Sequence, residues 1–404
     1  MKKIEGGVCV PVGFRANGVH CGIRKNKTKR DLSLIVSDVR AAAACVYTQN
    51  LVKGAPIRVT KRHVADGYAQ AIVCNSGNAN TCNADGEEIA EGMCALVEGQ
   101  TGIPAADVVV ASTGVIGQPL SLEPIRAGMP SLAEGLSEDG SLFAAQGIMT
   151  TDTVDKQIAY SFTLGGKECR IGAIGKGVGM INPNMATMLI FITTDASISP
   201  EMLQKALSAD VKDSFNMVSV DGDTSTNDMV CVLANGMAEN EPVTAPGKDY
   251  TVFRKALNKV TTALCRSIAK DGEGATKLLE CKVTGAKSRQ AARTVAKSVI
   301  KSSLFKAAMF GADANWGRVL CAIGYAGAEV DIGRVSVDFR SRAGTVAVCR
   351  EGSGIPFSEE EAKKVLSEDE IEVLIRLGDG NGKATAWGCD LTYDYVKING
   401  DYRT

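Results

Sequence analysis

The stretch that most constrains this chain is Asn182-Pro183-Asn184-Met185-Ala186-Thr187-Met188, with the apolar run Leu189-Ile190-Phe191-Ile192 directly behind it. The run is short, rich in β-branched and aromatic side chains, and closed by Thr193-Thr194-Asp195, which spells a buried strand. A proline, two asparagines and the glycines of the preceding Gly172–Gly179 segment crowd its entrance. The strand therefore starts from a tight, irregular turn with a threonine at its mouth. A hydroxyl held on a rigid strand end is well placed as a nucleophile, provided something activates it. Spacing alone favours the simpler reading, a Gly/Asn/Pro turn leading into a core strand.

The rest of the chain narrows the choices. Its 404 residues suffice for two or three domains, or for one large α/β body. A net charge of −1 gives no reason to expect nucleic acid or an anionic membrane as partner. Met1-Lys2-Lys3 runs into Ile4-Glu5-Gly6-Gly7, not an apolar signal core, and no run reaches transmembrane length, so a cytoplasmic protein is expected. The 13 cysteines are odd in number and form no Cys-x-x-Cys pair, which fits neither a disulfide framework nor a zinc site. They read as reduced, buried residues. His20 and His63 are the only histidines, so an imidazole metal site is not expected and a serine-protease-style triad has little material.

Along the chain, Val8–Val10, Leu32–Ser37 and Ala42–Tyr47 read as strands, and the basic loop Arg24–Arg30 as a solvated hairpin loop in preference to a substrate-attracting patch. A helix is expected over 57–64 and a strand over 69–74. The amide-rich turn Asn75-Ser76-Gly77-Asn78-Ala79-Asn80 follows, then a helix over 86–97. The strand 108–112 is expected to break at Thr113-Gly114, placing a hydroxyl beside a backbone N–H, the parts of an oxyanion hole. Helices are read at 121–135 and 140–148, and a hairpin over 157–174 turning at Gly165-Gly166. Further helices are read from Ser199-Pro200, over 249–269, over 288–305 and from Gly311–Arg318. Strands are read at 335–339 and 345–349, and a strand-rich region over 370–399. The acidic loop Asp221–Asp228 lacks the EF-hand spacing and reads as a structured loop near a site. No dinucleotide fingerprint or P-loop is present.

If Thr187 is a nucleophile, it needs a base. Cutting the chain just before it would supply one, because the new α-amine, with a reference pKa of roughly 7.7–8.0, is suited to proton transfer near neutrality. Asn184-Met185-Ala186-Thr187-Met188-Leu189 resembles the self-cleavage motif of the ornithine acetyltransferase (glutamate N-acetyltransferase) family of arginine biosynthesis. Asn75–Asn80, Ser112–Gly117, Met149–Thr153, Asp221–Asp228, Gly311–Arg318 and Ile398–Thr404 are similar to the same family, in order along the chain.

The resemblance implies an acetyltransferase that moves acetyl from N2-acetylornithine to L-glutamate by a ping-pong route, giving ornithine and N-acetylglutamate. It also implies an α/β fold, a layered sandwich of stacked β-sheets flanked by helices, of the self-processing N-terminal-threonine nucleophile kind. Cleavage between Ala186 and Thr187 would give an α chain, 1–186, and a β chain, 187–404, assembled as an α2β2 heterotetramer. Thr113 and Gly114 would form the oxyanion hole. Thr153, Lys176, Thr187, Glu273, Asn399 and Thr404 match substrate-binding positions, Lys176 suiting the substrate α-carboxylate and Glu273 the ornithine ammonium. The tail Gly400-Asp401-Tyr402-Arg403 departs from the small residues expected there. No cofactor or metal is expected; acetyl-CoA is a candidate second acetyl donor, and no sequence signature for CoA decides between a monofunctional and a bifunctional enzyme. Two alternatives remain: an aminopeptidase or deacetylase of the same fold, or an uncleaved binding protein on the same scaffold.

Overall fold

A computed structural model describes residues 1–182 and 188–400. The expectations on Ala186, Thr187 and Thr404 fall outside the described residues. The strands are β1 (Lys2–Ile4), β2 (Phe14–Val19), β3 (Leu32–Tyr47), β4 (Tyr68–Asn78), β5 (Val108–Val115), β6 (Lys156–Leu164), β7 (Lys167–Lys176), β8 (Leu189–Thr194), β9 (Val218–Ser219), β10 (Met229–Ala234), β11 (Leu278–Ala286), β12 (Ser336–Ser341), β13 (Gly344–Arg350), β14 (Ser353–Gly354), β15 (Glu370–Arg376) and β16 (Gly382–Cys389). They form two mixed sheets. The first runs β1-β6-β7-β8-β10-β3-β4-β5, with β2 also on β3; the second runs β14-β13-β12-β15-β11-β16-β9.

The helices are α1 (Ala55–His63), α2 (Gly86–Thr101), α3 (Leu122–Glu134), α4 (Ser141–Ile148), α5 (Pro200–Asp210), α6 (Lys248–Lys270), α7 (Arg289–Lys301), α8 (Ser303–Phe310), α9 (Trp316–Gly324), α10 (Glu359–Leu366) and α11 (Tyr393–Asn399). They flank both sheets, as expected. In β8 the period-two alternation sends Leu189 and Phe191 into the core under α4, and Ile190 and Ile192 into the core shared with α5 and α6. Covered on both faces, β8 has no polar side and reads as a continuous apolar run. Helix α6 touches β6 and β7 of the first sheet and β11 and β16 of the second, so one core spans both.

Several local expectations change. The two strands read at 32–37 and 42–47 are one strand, β3, whose register slips between Val36 and Ala41, exposing Asp38, Val39 and Arg40. Val8–Val10 is a turn, not a strand. The Val8 amide donates to Ser141 Oγ (3.0 Å) and its carbonyl accepts from Thr193 Oγ1 (2.7 Å), so side chains replace a neighbouring strand.

Asn75–Asn78 continues β4, and Thr113–Val115 continues β5, the two paired in parallel through an irregular register. The helix read over 288–305 divides at Ser302, whose hydroxyl accepts from Phe305 N (3.3 Å) and caps α8. The end of the strand-rich region, 393–399, is the helix α11. The hairpin at Gly165-Gly166 and the Ser199 cap of α5, which accepts from Met202 N (3.3 Å), are as read.

Candidate active site

Three strand ends of the first sheet meet at one place. Lys176, the last residue of β7, lies opposite Leu189, the first of β8, and Leu189 lies opposite Met229, the first of β10. Met229 N donates to the Met188 carbonyl (2.9 Å), fixing the residue bonded to Thr187. The end of β5 supplies Thr113. Its hydroxyl is buried and accepts from Lys176 Nζ at 3.0 Å. A small cavity between these ends is lined by Thr113, Lys176, Met188, Leu189, Asn227 and Asp228 among others.

Gly114 can be nothing else. Its φ is +134°, and a Cβ there would stand 2.3 Å from the Gly77 carbonyl carbon and 2.5 Å from Asn78 N. The amide-rich end of β4 thus presses directly on the oxyanion candidate. Asn227 ties this junction together: its Nδ2 donates to the Ser112 carbonyl (3.0 Å) and the Ala79 carbonyl, and its Oδ1 accepts from Thr81 Oγ1 (2.6 Å).

Lys176 is held among opposite charges. Burial lowers its pKa, while the carboxylates of Asp152 and Asp228 pull the other way. Burial would raise the pKa of Asp152, but the ammoniums of Lys156 and Lys176 outweigh it and hold that carboxyl at about 2. Asp152 accepts from Lys156 Nζ (2.8 Å) and from Gly177 N (3.0 Å), so it also anchors the chain just after Lys176. Lys156 continues to Asp271, which takes Thr153 N (3.2 Å) and the Thr153 hydroxyl. The exposed Thr153 is held by Asp271, while the Thr151 hydroxyl donates to Glu273 (2.7 Å).

Glu273 and Asn399 come together. The buried Glu273 carboxylate accepts from Asn399 Nδ2 (2.8 Å) and from Thr151 Oγ1 (2.7 Å). Its backbone N–H donates to the Val178 carbonyl (2.9 Å), and a Cβ on Gly179 would fall 2.3 Å from its Oε2. A carboxylate keeps acceptor capacity beyond those two bonds, as an ammonium ligand would require. Asp221 holds the chain leading to the motif, accepting from Ile181 N (2.8 Å) and from Met180 N, while Asn182 Nδ2 donates to the Gly222 carbonyl (2.9 Å). The loop 221–228 is structural here, and among the described residues no group of side chains is arranged to hold a metal ion.

Thr151, Asn227, Asp221, Asp228 and Asp271 were not singled out one by one from the sequence. Four of the five lie inside stretches that resemble the family. A larger cavity of about 570 Å³ opens beside Gly114, lined by Gly77, Asn78, Thr150 and Thr151 and by Arg24, Lys25, Asn26 and Lys29 of the basic loop. The Arg24–Arg30 loop is thus part of a cavity wall, not only a solvated hairpin. Among the described residues no helix is long and apolar enough to cross a membrane.

The ArgJ family profile matches residues 15–404. The arginine biosynthesis bifunctional protein ArgJ 1 of Clostridium acetobutylicum is 50% identical over 392 residues, covering 97% of this chain and 96% of its own. The arginine biosynthesis bifunctional protein ArgJ of Bacillus subtilis is 47% identical over 404 residues, covering 100% and 98%. In a crystal structure of the arginine biosynthesis bifunctional protein from Bacillus halodurans, one chain is 50% identical with a TM-score of 0.51. All of that chain is matched by 54% of this one.

Proposed function

The chain belongs to the ArgJ family and is an acetyltransferase of arginine biosynthesis, and from that premise we propose that Thr187 is its nucleophile, released by self-cleavage at Ala186. The Thr187 hydroxyl attacks the Ala186 carbonyl, the acyl group moves from nitrogen to oxygen, and water releases Ala186. The new α-amine then serves as the base. The product is an α chain of residues 1–186 and a β chain of 187–404 that stay paired, in an α2β2 assembly in the cytoplasm. In support, residues 187–404 are 218 of 404, or 54%, the share that matches the whole Bacillus halodurans chain.

In the transfer reaction Thr187 Oγ attacks the acetyl carbonyl of N2-acetylornithine. The oxyanion takes hydrogen bonds from the Thr113 hydroxyl and Gly114 N–H. A hydroxyl has one proton, so it donates to an oxyanion best when another group donates to its oxygen. Lys176 Nζ does this at 3.0 Å. Ornithine leaves as the amine with the proton passed on by the α-amine. The amine of L-glutamate then attacks the acetyl-threonine ester, giving N-acetylglutamate and restoring Thr187. Glu273, with Asn399 beside it, faces the ornithine ammonium, and Thr153 and Thr404 complete the substrate contacts. Acetyl-CoA is the second acetyl donor.

The observation that carries this reading is the convergence on one cavity of Thr113 from β5, Lys176 from β7 and Met188 from the residue just before β8. The test is an intact-mass spectrum of the denatured protein. Two fragments meeting between Ala186 and Thr187, and one added acetyl on the second fragment after exposure to N2-acetylornithine, are expected. A single full-length mass, or an acetyl retained by Thr187→Ala, would overturn the assignment.

A further inference from the structure

The register of β3 on β10 sets Cys45 directly opposite Cys231. Among the described residues no other strand pairing places two cysteines opposite each other. The ladder also decides what kind of pair they are. Thr48 N donates to the Asp228 carbonyl (3.0 Å), and hydrogen-bonded and non-hydrogen-bonded positions alternate along antiparallel strands. Cys45 and Cys231, three positions on, are therefore a non-hydrogen-bonded pair. The Cys45 backbone agrees: its N–H donates to Gln204 Oε1 and its carbonyl accepts from Gln204 Nε2, both at 3.2 Å, so both groups turn to α5 and not to β10. The Cα atoms of such a pair stand about 4.5 Å apart, within the roughly 4.4–6.8 Å that a disulfide spans.

The side chains share a face, packed in one core with Ala43, Met229 and Leu233. A hydrogen bond between the two thiols, together with burial, raises the Cys231 pKa. Cys231 is closed off from solvent, whereas Cys45 keeps 7% of its surface and lies at the wall of a cavity of about 350 Å³. That cavity is lined also by Tyr47, Lys61, Val64, Pro200 and Gln204. One thiol of the pair is thus reachable and the other waits behind it.

We propose that Cys45 and Cys231 are a redox dithiol, which a small disulfide entering this cavity closes into a cross-strand bond. Cys45 Sγ attacks one sulfur of the small disulfide, whose S–S bond breaks and whose first half leaves as a thiol with the Cys45 proton. Cys231 Sγ then attacks Cys45 Sγ and expels the second half, which takes the Cys231 proton. Two protein thiols are oxidised and one small disulfide is reduced to two thiols. A resolving thiol of raised pKa makes closure slow at neutral pH. A pair at the short end of the disulfide span is readily reduced, so the bond is reversible. β3 lies in residues 1–186 and β10 in 187–404, so the bond joins the two chains covalently. That last consequence rests on the Thr187 reading; the bond itself does not.

The test treats the reduced protein with bis(2-hydroxyethyl) disulfide, quenches in acid, alkylates under denaturing conditions and takes intact masses with and without dithiothreitol. The two chains are expected as one linked species in which two of the 13 thiols escape alkylation, and dithiothreitol separates them. Peptide mapping places the link at Cys45–Cys231. Cys45→Ala and Cys231→Ala each abolish it, and the wild-type peptide map reads the bond independently of either variant. All thiols alkylated, a small-thiol adduct that stays on Cys45 without closing, or a link through other cysteines overturns the proposal. Failure of the cleavage assignment looks different: one full-length mass appears with and without dithiothreitol, and the Cys45–Cys231 peptide still forms.

Discussion

Replacing Lys176 by methionine separates two roles that the position could serve. The family resemblance makes it a hook for the substrate α-carboxylate; the geometry makes it the donor that orients the Thr113 hydroxyl. A hydrogen bond from a charged donor contributes roughly 1.5–3 kcal/mol, so losing it lowers kcat about ten- to a hundredfold if it acts only on the oxyanion contact. Thr113→Ala, which removes the donor itself, should cost about 2.7–4 kcal/mol, and Lys176→Met should add little on top of it. The assay is single-turnover acetylation, counted per processed chain so that a maturation defect is not mistaken for slow transfer. It is run with N2-acetylornithine and with an activated acetyl ester that has no carboxylate. The orienting role requires the same fold-loss with both donors. An unchanged kcat, with a raised KM for N2-acetylornithine alone, would refute it and return Lys176 to the carboxylate.

Gly114→Ala drives a methyl group into the Gly77-Asn78 backbone at 2.3–2.5 Å in a left-handed region, and should abolish transfer and cost about 2 kcal/mol or more of stability by thermal melt. A well-folded, active Gly114→Ala would mean that the strand end can shift. Asp152 makes stability depend on pH. Its folded pKa of about 2 lies below the unfolded value of about 3.9, so the stabilisation is complete above that value and is lost as pH falls toward 2, on the order of 1–3 kcal/mol in all. Denaturation curves across that window should flatten in Asp152→Asn, and an identical acid loss in the variant would point to other carboxylates. Glu273→Ala should raise the KM for N2-acetylornithine about tenfold or more by removing a charged partner and freeing Asn399 and Thr151. Unaltered turnover of that donor would take Glu273 out of the site.

Much of the fold was legible because strands buried on both faces leave no ambiguity of side. Leu189–Thr194 could be little else, and the Gly165-Gly166 hairpin and the Ser199-Pro200 helix start carry their turn chemistry in adjacent residues. The element ends were harder. Ser302 splits a helical pattern that periodicity runs straight through, and 393–399 looked like a strand beside two real ones. In the site, Thr113 and Gly114 stood out because a hydroxyl beside a glycine at a strand end has an evident use. Thr151 and Asn227 did not, since their partners lie far away in the chain: Glu273 is 122 positions from Thr151, and Ser112 is 115 from Asn227. No local pattern marks a polar residue whose reason is so distant. The basic loop shows the same limit, because only the fold makes it part of a cavity wall.

The interleaving of β8 and β10 with strands from the first half of the chain decides how such an enzyme could be made. β8 is bonded along one edge to β7, and β10 along one edge to β3, so the middle of the first sheet comes from the second half of the chain. Before they join, 1–186 would present the bare edges of β7 and β3 with a gap between them, and 187–404 would carry an uncovered two-stranded ribbon of apolar residues. Both are templates for aggregation. Translation as one polypeptide solves an assembly problem that the proposed cut would not reopen. Separately expressed halves should precipitate when mixed, whereas the same two chains produced from one precursor remain locked by a continuous ladder of main-chain hydrogen bonds. A nick at the site, as proposed above, would then be permanent chemistry without being a point of mechanical weakness.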